Sequence, residues 1–217
     1  MVTERATYNE LEPILRRVME KNPYAFSNMR GRIERACLKG EREFFFFIKP
    51  KGINYKVFYR LDLNLKLHSA GLVIEGCDGD SFAFPANGLE VIFIVRGHAL
   101  KRYIQRKIYH DETHEVTEEE ITDALQSLST YISHCCINYD KIGDQYHLGF
   151  DGGVFICTDN NKVVTLQTYL PVSMLKVNQS LSYRHTIKET QEWKLSMTDD
   201  DIKRRAKVEG LMAAKKC

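Results

Sequence analysis

The chain lacks any apolar run long enough to cross a bilayer. Even runs such as residues 44–48, unmatched in length except by 91–95, fall far short of the roughly 20 residues a spanning helix needs. The opening Met1-Val2-Thr3-Glu4-Arg5 lacks the apolar core of a secretory signal, so the expectation is a soluble, cytoplasmic protein with no membrane partner. No CxxC pair occurs among Cys37, Cys77, Cys135, Cys136, Cys157 and Cys217, whose irregular spacing fits buried thiols rather than a disulfide framework. An excess of charge is missing too. With 31 Lys+Arg against 29 Asp+Glu in 217 residues, the formal charge is only +2, which argues against a general nucleic-acid coat. Neither GxxxxGK nor GxGxxG occurs, so Gly152-Gly153 reads as a hairpin and not as a phosphate loop. Internal repeats and low-complexity linkers are absent as well.

What is present suits a folded domain. A 43% hydrophobic, 11% aromatic composition can bury a core and excludes global disorder. Tyr8, Leu11, Ile14, Leu15, Val18 and Met19 make a helical stripe that Asn22-Pro23 ends. Residues 26–38, rich in arginine (Arg30, Arg32, Arg35), read as a second helix. Aromatic and β-branched segments follow at 43–49, 55–62, 63–67 and 71–75, with turns at Lys51-Gly52 and Ser69-Ala70-Gly71. A short strand is expected at 81–84, and a strand covered on both faces at 89–95. Helical text resumes at Gly97. Thr117 with Glu120 forms a capping box for a helix through Leu128. Strands are expected at 130–137, 146–150, 154–158 and 163–169, with hairpin chemistry at Asp151-Gly152-Gly153 and Asp159-Asn160-Asn161. Residues 198–216 read as a final helix, and Trp193 as an anchor for the C-terminal segment.

Residues 96–109 concentrate charge of one sign: Arg96, Lys101, Arg102, Arg106 and Lys107, with no acid among them. On a helix, His98, Arg102 and Arg106 would share one face, where like charges repel. A polyanion would relieve that repulsion, since arginine forks fit phosphate oxygens and histidine titrates near neutrality. The competing account is internal: the seven carboxylates of residues 111–123 could neutralise the stripe.

Two other groups invite chemistry. His110 and His114 stand at i, i+4, a spacing that can chelate zinc. The zincin pattern needs Glu directly after the first His, where this chain has Asp111, so no metal and no cofactor are expected. Cys157 has no histidine placed by sequence to activate it and reads as structural.

The order of elements is informative. An apolar strand feeds Gly97-His98-Ala99-Leu100-Lys101-Arg102-Tyr103-Ile104-Gln105-Arg106, then comes Thr117-Glu118-Glu119-Glu120-Ile121, then strands ending in Thr168-Tyr169-Leu170-Pro171. This resembles the ribonuclease-like superfamily of barnase, EndoU, colicin-type nucleases and RelE-type toxins, over about residues 89–172. The resemblance implies an α+β fold: antiparallel sheet with N- and C-terminal helices and a RelE/barnase-like core in the second half. Residues 1–88 would be a helical pair plus strands, 89–172 the core, and 173–217 a C-terminal extension with a helix.

The resemblance also implies a site. His98 would transfer protons, Arg102 and Arg106 would bind phosphate, and Thr168 would face substrate from the last strand, with Arg96, Lys101 and Tyr169 as further contacts. The implied activity is metal-independent RNA cleavage by a toxin- or defence-effector-like protein. In it the 2′-hydroxyl attacks the adjacent phosphorus while cationic groups hold the phosphorane charge. Single-stranded RNA is the implied substrate, and an acidic protein such as an antitoxin a further partner. A non-catalytic RNA- or protein-binding module on the same fold is the alternative, and a purely structural protein with an internally neutralised stripe is a third. Two features depart from compact members: the polar insert at 108–116 and the 88 residues before the core.

Overall fold

The computed structural model describes residues 2–20, 31, 43–50, 52–62, 67–76, 79–134, 140–142, 145–177, 179–181 and 184. The helices expected at 26–38 (Gly31 apart) and 198–216 lie outside these residues, as do Trp193 and every cysteine except Cys157.

A nine-stranded sheet organises the chain. Its strands are β1 (Glu43–Ile48), β2 (Val57–Asp62), β3 (Leu67–Ile74), β4 (Ser81–Ala86), β5 (Val91–Val95), β6 (Asp140–Ile142), β7 (Gln145–Phe150), β8 (Gly153–Asn160) and β9 (Val163–Pro171). The spatial order is β1-β2-β3-β4-β5-β9-β8-β7-β6. Two antiparallel meanders thus meet at one seam, where β5 and β9 run parallel from Ile92↔Val163 to Val95↔Leu166. The fold is α+β, but the sheet is mixed rather than antiparallel. A parallel pair needs a crossover, and here the chain passes through two helices and then β6–β8 before β9. The helices are α2 (Gly97–Tyr103), continued as a π-helical turn (Ile104–Tyr109), and α3 (Glu118–His134). Gly88, where the sequence reading put a domain boundary, lies in the three-residue 3-10 turn between the paired strands β4 and β5.

Each face of the sheet has its own cover. On one, Phe58, Phe84, Phe93, Phe155 and Tyr169 pack against Leu100, Tyr103 and Ile104 of the crossover and Leu125, Leu128 and Ile132 of α3. On the other, α1 (Tyr8–Glu20) buries Leu11, Leu15 and Val18 against Val57, Tyr59, Leu72, Ile92 and Ile94. Each such aliphatic side chain contributes about 2 kcal/mol on burial. Polar ties fix the docking: Tyr8 donates to the Leu89 carbonyl at 2.6 Å, and Tyr59 donates to the Val18 carbonyl at 3.2 Å.

Several local expectations need correction. Residues 130–134 continue α3 and are not strand, because Leu125, Leu128 and Ile132 keep the helical spacing of a buried stripe. The remainder of the expected strand, 135–137, is outside the described residues. Ser69-Ala70-Gly71 is no turn but the middle of β3, opposite Arg60, Tyr59 and Phe58. Glycine is needed there because the Phe58 ring lies across it, and a Cβ would sit 2.4 Å from that ring. The β8–β9 turn falls at Asn161 and Lys162 (φ 46° and 72°), one residue later than its polar run suggests.

Candidate functional site

The basic segment begins where β5 ends. Arg96 has extended backbone, and Gly97 then starts α2 against the loop before β4; a Cβ there would lie 2.7 Å from the Asp80 carbonyl. Ala99, Leu100 and Tyr103 turn inward, leaving His98 exposed and Lys101 and Arg102 half-buried. Tyr103 anchors the helix from below. Its ring meets those of Phe150 and Tyr169, and its hydroxyl donates to the Asp151 carboxylate at 2.7 Å. Burial and that carboxylate push its phenol above the ordinary tyrosine range.

From Ile104 the helix widens. His110 N–H bonds back to the Gln105 carbonyl, as does Asp111 N–H at 2.9 Å, and His110 ends the turn in a left-handed conformation (φ 55°). The chain then folds back, and residues 110–116 form a strap joined to the segment at Arg102, Gln105, Arg106 and Tyr109. Glu112 bridges the two arginines: one oxygen takes Arg102 Nη1 at 3.1 Å, the other Arg106 Nε at 3.0 Å. Arg106 also donates through Nη1 to the Tyr169 carbonyl at 2.8 Å.

Other bonds hold the strap in place. Gln105 Nε2 donates to the His114 carbonyl at 2.9 Å, and Asp111 accepts both the N–H and the hydroxyl of Thr113. The His114 ring stacks on Tyr109 with centroids 3.6 Å apart, and its Nε2 lies 3.0 Å from Glu120. Glu120 closes the expected capping box, taking the Thr117 N–H at 2.7 Å while its own N–H donates to the Thr117 hydroxyl at 3.3 Å. The Tyr109 hydroxyl first, with the Thr117 N–H and His114 behind it, holds the Glu120 carboxyl down at about 2.

Two of the other three cations are also engaged. Glu4, from the segment before α1, accepts from Arg96 Nε at 2.9 Å and from the Ser81 hydroxyl. Arg96 Nη1 continues to Gln167 Oε1 at 2.8 Å. Lys107 stands 3.9 Å from Asp151. Among the described residues Lys101 makes no salt bridge; its ammonium passes the backbone of Gly79.

Of the residues picked from sequence, the structure brings His98, Lys101, Arg102 and Arg106 onto one helical segment beside the strap. Arg96 lies at that segment's start, turned to Glu4. Tyr169 is fully buried on the helix side, its hydroxyl donating to the Asp151 carbonyl at 3.0 Å. Thr168 precedes it on β9, so it points to the opposite face, where the register pairs it with Ile156.

The two histidines of the zinc-like spacing lie beyond the helical segment, and His114 is committed to Glu120 and Tyr109. Among the described residues no group of three or more His, Cys, Asp or Glu is placed to hold a metal ion. Nor is any helix among them long and apolar enough to cross a membrane. Cys157 is fully buried, which pushes its thiol well above the usual range and removes it as a nucleophile.

Glu4 and Glu112 are the partners that single-residue reasoning passed over. For Glu112 a signal existed, in the acidic run following the basic one; for Glu4, distant in sequence, there was none. No protein-family model, curated protein sequence or solved structure matches this chain.

Proposed function

We propose that the chain is an RNA-binding module on a nuclease-like core, with the face carrying His98, Arg102 and Arg106 as its phosphate contact. One observation carries the reading. Two guanidinium groups a turn apart converge on a single carboxylate, each taking a different oxygen, which is the way neighbouring oxygens of a phosphate are held. The element order adds support: strand β5, a basic helical segment, the capped α3, then an antiparallel meander whose last strand lies beside β5. That is the order on which the resemblance to the RelE/barnase-type ribonucleases rests.

Cleavage is the second reading, favoured by the exposure of His98 one turn before Arg102. A proton-transfer group must be reachable by substrate, and His98 is. Such a site would consist of His98, Arg102, Arg106 and Thr168.

The test is anisotropy of a labelled mixed-sequence single-stranded RNA over a range of salt, with EDTA present and the product run on a gel. Binding should weaken with salt at a logarithmic slope of about −0.7 per phosphate contacted, and Arg102→Ala should make the slope shallower by about 0.7. EDTA-resistant cleavage that disappears in His98→Ala would establish turnover. No binding even at low salt would leave the stripe as an internally neutralised structural feature and end the RNA reading.

A further inference from the structure

The strap does more than neutralise charge. We infer that Arg102 and Arg106 form a closed oxyanion site whose external ligand is a phosphate group offering two free oxygens, and that Glu112 occupies it from within the chain. The inference rests on the phosphate-contact reading above and names what regulates that same surface.

Three observations carry it. First, Glu112 spends both carboxylate oxygens on the two arginines, and among the described residues no other bond of the strap depends on them. The strap is held independently, by Gln105, by the Asp111–Thr113 turn, and by His114 against Tyr109 and Glu120. The Glu112 side chain can therefore leave while residues 110–116 stay folded.

Second, the contact is shallow on the acid's side. The Glu112 side chain is 48% exposed, whereas Arg106 is 16% exposed and further fixed by its bond to the Tyr169 carbonyl. Arg102 is 30% exposed, so both arginines are more buried than the acid that joins them. Ion pairs reached by water contribute little, so this one opens readily.

Third, the strap is short. A carboxylate tethered so closely competes at an effective concentration of about millimolar, enough to hold off a weak anion and yield to a polyanion making further contacts. The apparent affinity of an external phosphate is then its intrinsic affinity reduced by the fraction of open sites.

The experiment is calorimetric titration of the full chain and of Glu112→Gln with sodium pyrophosphate and, separately, with a short single-stranded RNA at low ionic strength. Glu112→Gln keeps the side chain's size and removes its charge. It should bind pyrophosphate about tenfold more tightly than the parent, and adding Arg106→Ala should abolish the gain. Glu112→Asp, too short to bridge both guanidinium groups, should fall between the two and guards against a folding defect in the first variant.

If both probes gain, the site and the RNA reading stand together. Should pyrophosphate gain while RNA binds neither protein, the oxyanion site stands and the RNA reading falls. If Glu112→Gln matches the parent for both probes, Glu112 closes nothing and the inference is overturned. In that case RNA binding by the parent would show that the RNA reading had survived on another surface.

Discussion

Tyr103→Phe isolates the joint that aims the basic segment. The substitution keeps the ring against Phe150, Phe155 and Tyr169 and removes only the hydroxyl that reaches Asp151 at 2.7 Å. Asp151 is exposed, so its freed oxygen returns to water and carries no burial penalty. The loss should then be about 1 kcal/mol, the net value of one hydrogen bond, and not the ~3 kcal/mol of a stranded buried charge. Tyr103→Ala removes the ring as well and should cost about 4 kcal/mol. In a domain of this size the first change lowers the thermal midpoint by about 2–4 °C.

The pH dependence has a definite sign. The folded phenol titrates above its unfolded value, so its stabilisation is complete below pH about 10 and is lost as pH rises beyond that. In urea unfolding the parent's advantage over Tyr103→Phe should therefore shrink and then reverse above pH about 10. A Tyr103→Phe cost equal to that of Tyr103→Ala, or a parent advantage that grows in alkali, would refute the assignment of the hydroxyl to this joint.

Two further outcomes follow from local geometry. Lys162→Gly relieves a left-handed residue (φ 72°) in the β8–β9 turn at the cost of its cation–π contact with Tyr8. Strain of about 1–2 kcal/mol against a contact of about 0.5–1 kcal/mol leaves a net gain, read as a raised urea midpoint; a lowered midpoint would mean that the strain is not stored there. Glu120 has its folded pKa lowered to about 2, so it stabilises fully above its unfolded pKa of about 4.3 and loses that contribution as pH falls toward 2. The midpoint difference between parent and Glu120→Gln should be constant above pH about 5 and close below it; a gap unchanged down to pH 2 would detach Glu120 from the strap.

The parts of the fold legible in the sequence were those with short-range causes. The stripe of α1, the Thr117 capping box and the Asp151-Gly152 hairpin each depend on residues within a few positions of one another. The parallel seam was not legible, because Ile92 meeting Val163 depends on which strands become neighbours after two helices and three strands intervene. The end of α3 was misread since Thr130 and Ile132 carry strand propensity, which the buried helical spacing overrode. In the candidate site, the one-face grouping of Arg102 and Arg106 was visible from spacing alone. Glu112 was visible only as one of seven nearby acids, and choosing it required the left-handed turn at His110. Thr168 was placed by resemblance, and its facing depends on the β-bulge between Leu166 and Thr168, which no local pattern in the sequence marks.

The seam between β5 and β9 also sets an order of events during synthesis. The five-strand meander can assemble as soon as β5 leaves the ribosome, since each of its pairings is with the strand just made. β5 then presents one unpaired edge, Val91-Ile92-Phe93-Ile94-Val95, until residues 163–166 have been made. At ordinary rates of about 5–20 residues per second that interval lasts seconds, and a bare apolar edge is a template for pairing with other chains. The crossover helices are the first elements to emerge after β5, and their packing covers one apolar face of the half-built sheet while the β5 edge waits for β9.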